Sequence, residues 1–222
     1  NIELLHEHDG ESGVAFINVI ESTSQNQITV VSGANAHTKS DQLSDEVLLS
    51  SEIILSQLEV LPEEIEKLFS RASKKGCLRI LNVAPASQLS ETLFSQTDIF
   101  LVNELELSTL ANKPLLVEDM DSIKECISSL NLKDEQSIVV TLGSKGVFVH
   151  QHNRNEFFMG HKVNAIDTTG SGDCFIGAMA SHMIESNNLF EAADFANKAA
   201  ALSVTKKGAS NSMPIKQEVL DF

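Results

Sequence analysis

Between residues 53 and 142, short apolar runs of strand type alternate with stretches that carry helix start and stop signals. This alternation restricts the fold more than any other feature. The apolar run 48–58 contains a buried strand over 53–58. Pro62-Glu63-Glu64-Ile65 then opens a helix, because proline tolerates the first helical position and carboxylates suit the positive end of the dipole. Lys74-Lys75-Gly76 closes it, with cations at the negative end and glycine just beyond. A strand over 78–83, a short helix over 90–95, a strand over 99–102, helices within 104–130 and a strand over 137–142 follow. Strands separated by helices can lie parallel, so the order predicts an α/β fold: a mostly parallel sheet flanked by helices.

Two hairpins interrupt the pattern. One pairs 13–19 with 27–31 across a polar turn at 22–26, and reads as part of a small β element beside the main sheet. The other spans 146–158 and turns at His152-Asn153-Arg154-Asn155. Periodic stretches at 174–184 and 189–204 read as helices, and no repeat or linker splits the chain, so 1–222 is expected to be one domain.

Charge narrows the partners. With 31 acidic against 16 basic residues the formal charge is −15, which repels nucleic acid and anionic lipid. The longest apolar runs fall far short of the roughly 20 residues that span a bilayer. Cys77, Cys126 and Cys174 match neither a zinc site nor a disulfide framework, which fits a reduced compartment: the cytoplasm, with the nucleus as the alternative. The first residues carry neither an initiator methionine nor a signal-peptide pattern, so the sequence is expected to begin inside a longer gene product.

The chemistry concentrates late in the chain. Gly170-Ser171-Gly172-Asp173 directly precedes a helical stretch, where main-chain N–H groups converge on an anion. Two glycines let a phosphate approach closely, and Asp173 could accept a proton from an attacking hydroxyl. Taken alone, the four residues serve equally well as a glycine-rich turn with Asp173 as a helix cap. His150 and His152 could pair on a metal, but no third ligand has matching spacing. Cys174 reads as a small buried packing residue.

The longer segment Asp167-Thr168-Thr169-Gly170-Ser171-Gly172-Asp173-Cys174-Phe175-Ile176-Gly177 resembles the carboxy-terminal signature of the ribokinase-like, phosphofructokinase-B-type carbohydrate kinases. Other segments agree in order. Asn103-Glu104-Leu105-Glu106 resembles the family's asparagine-x-x-glutamate element, which implies that Glu106 organises magnesium, through water, with Asn103 near the nucleotide. Thr141-Leu142-Gly143-Ser144-Lys145-Gly146 resembles the segment that wraps ATP, with Lys145 neutralising phosphate charge. Asn197 matches a position beside the adenosine moiety, and Gln57-Leu58-Glu59 makes Glu59 a sugar contact. The loop 206–212 resembles one that binds an activating potassium ion. By position its ligands would be Asp167, Thr169, Ser203, Lys206, Gly208 and Ser212.

The resemblance implies transfer of the ATP γ-phosphoryl group to a small sugar, with ribose the expected acceptor and its 5-hydroxyl the attacking group. It implies Asp173 as base, Gly170, Ser171 and Gly172 as the anion hole, Gly172 and Asp173 among the ATP contacts, and Asp173 also against the sugar. A homodimer is the expected assembly beyond a monomer. The family's opening strand, with its sugar aspartate and a glycine-rich segment, has no counterpart here, so the resemblance covers roughly the last two-thirds to three-quarters of such an enzyme. Without those strands a parallel sheet is expected to expose an apolar edge. Other sugar or nucleoside acceptors, or a non-catalytic nucleotide-binding module, stay open. A dinucleotide-dependent oxidoreductase does not fit, for no glycine fingerprint follows an early strand.

Overall fold

A computed structural model describes residues 4–20, 25–115 and 119–222. Its main sheet has six strands in sequence order: β3 (Ile53–Ser56), β4 (Leu78–Asn82), β5 (Ile99–Asn103), β6 (Ser137–Thr141), β7 (Gly146–Gln151) and β8 (Arg154–Met159). The first four run parallel, whereas β6–β7 and β7–β8 are antiparallel. The sheet is therefore mixed, because the connections at 142–145 and 152–153 are too short for the crossover that parallel strands require.

Alternation along the strands divides the core into two layers. Leu81, Phe100, Val102, Ile138 and Val140 face one side, against α2 (Pro62–Ser73), α3 (Glu91–Gln96), α4 (Glu104–Ala111) and α5 (Met120–Ser129). Ile80, Ile99, Leu101 and Val139 face the other, under α6 (Ser171–Ser186) and α7 (Leu189–Ser203). Strands covered on both faces read as continuous apolar runs, which is why 99–102 and 138–140 carry so little polarity. Each fully buried large side chain, such as Phe100 or Met179, contributes about 1.5–3 kcal/mol through burial. Among the described residues, no helix is long and apolar enough to cross a membrane.

Several boundaries differ from expectation for physical reasons. Strand β3 stops at Ser56, because the Leu58 N–H turns away to the Ala84 carbonyl at 2.8 Å. Part of the preceding apolar run is a short helix, α1 (Asp45–Leu49), capped by Ser44. The first hairpin pairs β1 (Val14–Ile20) with β2 (Gln25–Val31), so Gln25 and Asn26 belong to a strand; the rest of the expected turn lies outside the described residues. The second hairpin turns in two residues, with Arg154 and Asn155 already paired in β8. Helix α6 begins at Ser171, which brings Gly172 and Asp173 into its first turn.

The β1–β2 pair forms a separate two-stranded sheet. Its link to the main sheet is tied down by one arginine: Arg71 of α2 donates to the carbonyls of Ser40 and Leu43, each at 2.6 Å, and to Asp45 at 2.8 Å. Glu64, on the same helix, accepts the Ser40 N–H at 2.9 Å. Its carboxyl is held down at about 2, first by the hydrogen bond from Lys67 and then by that from Ser40.

Candidate active site

Helix α6 starts at a point that requires a positive φ. Gly170 occupies the N-cap at φ 74° and makes no side-chain capping bond. A Cβ there would stand 3.1 Å from the Cβ of Ala209, so the loop after α7 also presses against this glycine. The Ser171 N–H donates to the Thr168 carbonyl at 3.2 Å, and the Cys174 N–H makes the first full-span helical bond, to Gly170 at 2.8 Å. The N–H groups of Gly172 and Asp173 thus belong to the open positive end of a 16-residue helix. A Cβ on Gly172 would meet nothing within 4 Å, so this glycine keeps space free beside the main chain.

Asp173 is the third helical residue and exposed, not the N-cap, which removes the capping explanation for it. Cys174 behind it is buried at 5% exposure, and burial pushes its thiol pKa up. That is the behaviour of a packing residue.

The other elements deliver their residues to the same sheet edge. Strands β5 and β6 end side by side, with Asn103 opposite Thr141, and β7 starts there with Val147 opposite Thr141. A cavity of about 600 Å³ opens at this edge, lined by Thr141, Gly143, Ser144 and Gly146 from the β6–β7 connection, Ser171 and Gly172 from α6, and Asn197 from α7. Asn197 is fixed by donating to the Met159 carbonyl at 2.9 Å.

Not every expected residue lies on that wall. Leu142 is buried in the core at 3% exposure, Lys145 is exposed outside the lining, and Glu59 is exposed on the turn after β3. Asp173 lines a neighbouring cavity of about 270 Å³ with Gly177, Ser181 and Lys216. Asn103 and Glu106 form a reciprocal capping box at the start of α4. The Asn103 Oδ1 accepts the Glu106 N–H at 2.9 Å, and Glu106 Oε2 accepts the Asn103 N–H at 2.7 Å. Burial raises the Glu106 pKa, although the Asn103 bond opposes the shift.

Unforeseen in the sequence is the wall from Gly160 to Ala165, together with Thr168, Phe175 and the small residues Ala200 and Ala201 of α7. Two glycines create it. A Cβ on Gly160 would lie 2.1 Å from the Ser144 oxygen, and one on Gly146 would lie 2.0 Å from the Phe158 oxygen, so two backbones cross in contact. The Gly160 N–H donates to the Lys145 carbonyl at 2.7 Å and seals the crossing. A glycine immediately after a strand was the one available signal.

Asp167 joins the α6 approach to the loop after α7. Its carboxylate accepts the N–H groups of Thr169 and Gly208, both at 3.0 Å. These bonds, Gly208 first, hold its pKa at about 2. Ser203 and Ser212, both buried at 1% exposure, flank the same loop. The Ser203 and Ser212 hydroxyls donate within their own turns, to the carbonyls of Ala200 at 2.8 Å and Ala209 at 2.7 Å, and oxygen groups of this kind suit a hard cation. Among the described residues, no three His, Cys, Asp or Glu side chains converge on a metal.

A mixed sheet with an open helix N-terminus beside a cavity of about 600 Å³ fits a phosphotransferase of the α/β class. Residues 1–216 match the family described as pfkB family carbohydrate kinase, and the chain belongs to it. It is 39% identical over 213 residues to the ribokinase of Haemophilus influenzae, covering 95% of this chain and 69% of that one. It is 34% identical over 214 residues to the deoxyribokinase of Salmonella typhi, with the same two coverages, 95% and 69%. The structure of Arabidopsis thaliana ribokinase complexed with ribose and ATP superimposes with a TM-score of 0.83 at 29% identity, covering 96% of this chain and 69% of that one.

Proposed function

We propose that the chain forms a single kinase domain that phosphorylates ribose at its 5-hydroxyl with ATP, with Asp173 as the general base. The observation that carries this reading is the run from cavity wall to helix start: Ser171 and Gly172 line the 600 Å³ cavity, and Asp173 follows them on the same turn. A nucleotide seated there would present its terminal phosphate to the open helix end. The acceptor hydroxyl gives its proton to the Asp173 carboxylate while its oxygen bonds to the γ-phosphorus. The bond from that phosphorus to the bridging oxygen breaks, and ADP keeps the electron pair. Main-chain N–H groups of the Gly170–Gly172 segment and of Asp173 stabilise charge on the transferring group.

In this reading Thr141, Gly143, Ser144, Gly146 and Asn197 hold the nucleotide, and Glu59 meets the sugar. Magnesium, held through water near Glu106 and Asn103, would offset the phosphate charge. The capping box fits this arrangement, because it fixes the carboxylate in place. Potassium would be held by oxygens of Asp167, Thr169, Ser203, Lys206, Gly208 and Ser212, and would stiffen the loop that presses on Gly170.

The similarity to a deoxyribokinase makes 2-deoxyribose the second acceptor to consider. ATP consumption by the full-length protein should therefore be measured with ribose, 2-deoxyribose, fructose and adenosine, with and without potassium. Preference for ribose supports the proposal; preference for another acceptor replaces it. Asp173→Asn should lower turnover by at least about a hundredfold while leaving ATP affinity within about threefold. Near-normal turnover in that variant would remove Asp173 from the role of base.

A further inference from the structure

The nucleotide reading leaves one electrostatic question open. A protein of formal charge −15 must hold a polyanion, yet the lysine expected to do so, Lys145, does not line the cavity. The backbone crossing explains why. Residues Gly143–Lys145 form a single 3-10 turn, in which the Lys145 N–H donates to Leu142 at 3.1 Å and the Lys145 carbonyl accepts from Gly160 at 2.7 Å. Gly143, Ser144 and Gly146 face the cavity from this turn, while the Lys145 side chain is not part of the lining.

The segment that follows β8 supplies a different cation. From Gly160 the chain runs through His161, Lys162, Val163 and Ala165 along the cavity wall, then on to Thr168 and the start of α6. Lys162 is the one lysine or arginine among the lining residues, it is exposed, and it forms no ion pair with any described residue. The other lining residues are apolar, glycine or neutral polar groups such as Ser144, Thr168 and Asn197, together with His161, and none is an aspartate or glutamate, so no carboxylate on that wall opposes the ammonium's field. The crossing of Gly146 and Gly160 fixes the start of the strip, so this cation is carried on an anchored backbone.

We propose that Lys162, not Lys145, is the side chain that recognises the nucleotide's phosphate charge. The proposal rests on the nucleotide reading of the cavity and adds to it a specific binding residue. It predicts an interaction that senses charge and not the base: strong for ATP, weaker for AMP and absent for adenosine.

The test is calorimetric titration of the full-length protein and its variants with ATP, AMP and adenosine at low and high salt. Lys162→Ala should weaken ATP binding about fivefold at low salt, and Lys162→Glu by about twentyfold or more, with both deficits shrinking as salt is raised. Lys162→Arg should restore affinity to within about twofold, and Lys145→Ala should match the wild type. Adenosine affinity should be the same in every variant, which separates lost charge from a damaged pocket. Equal losses for ATP and adenosine, or a larger loss from Lys145→Ala than from Lys162→Ala, would overturn the assignment while leaving the nucleotide site intact. Failure of the wild type to bind ATP at all would remove the nucleotide reading, and this proposal with it.

Discussion

The carboxylate of Asp167 accepts one N–H from its own turn and another from a residue 41 positions away. Both bonds favour the ionised form, so its pKa falls from 3.8 to about 2 on folding. A folded-state pKa below the unfolded one means that the stabilisation is present above the ordinary carboxylate range. It is lost as pH falls through the folded value. Asp167→Asn keeps the size but removes the ionisable group. The variant should be less stable than the wild type near neutral pH, and the gap should narrow as pH falls from about 4 to about 2. Chemical denaturation followed across that range measures it. A gap that stays constant with pH would mean that ionisation of Asp167 does not hold the loop after α7 in place.

At the level of elements, the start of α4 forms a helix cap in the same four residues where we propose a magnesium contact. Asn103 and Glu106 cap the helix reciprocally, yet the family element they belong to implies a magnesium contact. The two roles separate by substitution. Asn103→Ala should cost about 1 kcal/mol of stability through the lost cap. Glu106→Gln preserves the box, so thermal stability should hold to within about 0.5 kcal/mol, whereas magnesium-dependent turnover should drop at least about tenfold. If turnover survives in the glutamine variant, Glu106 is a cap and nothing more. What the sequence showed of these four residues was a strand end followed by an acidic helix start, which are local features; their magnesium role rests on the family resemblance alone. The same locality made α2 legible from Pro62 to Lys74, and the strands from their β-branched runs. Asp45–Leu49 was missed because five residues are too few to show a period. The wall from Gly160 to Ala165 was missed because its role comes from backbone contacts between residues 12 to 16 positions apart, and the hairpin pattern over 146–158 does not show what lies beyond its end.

For the molecule as a whole, the order of the sheet leaves two outer strands with one partner each among the described residues. Strand β8 pairs only with β7, through an antiparallel hairpin, and β3 pairs only with β4. Beside this edge Leu55 is 40% exposed and Leu61 39% exposed, an apolar margin on an unpaired strand. Such an edge recruits further strands, and proteins ordinarily protect it with charge or a cover. A polypeptide of these 222 residues should therefore associate with concentration through β3. Leu55→Lys should suppress that association, because a charge on the edge is costly to bury against a second sheet, while an exposed site keeps the effect on folding stability within about 0.5 kcal/mol. The β1–β2 sheet offers the competing surface: Val14, Phe16, Val30 and Val31 expose 46%, 58%, 53% and 54% of their area. Sedimentation velocity on Leu55→Lys and Phe16→Ser distinguishes the two. Loss of association only in the Phe16 variant would assign self-assembly to the small sheet and leave the β3 edge without a role in it.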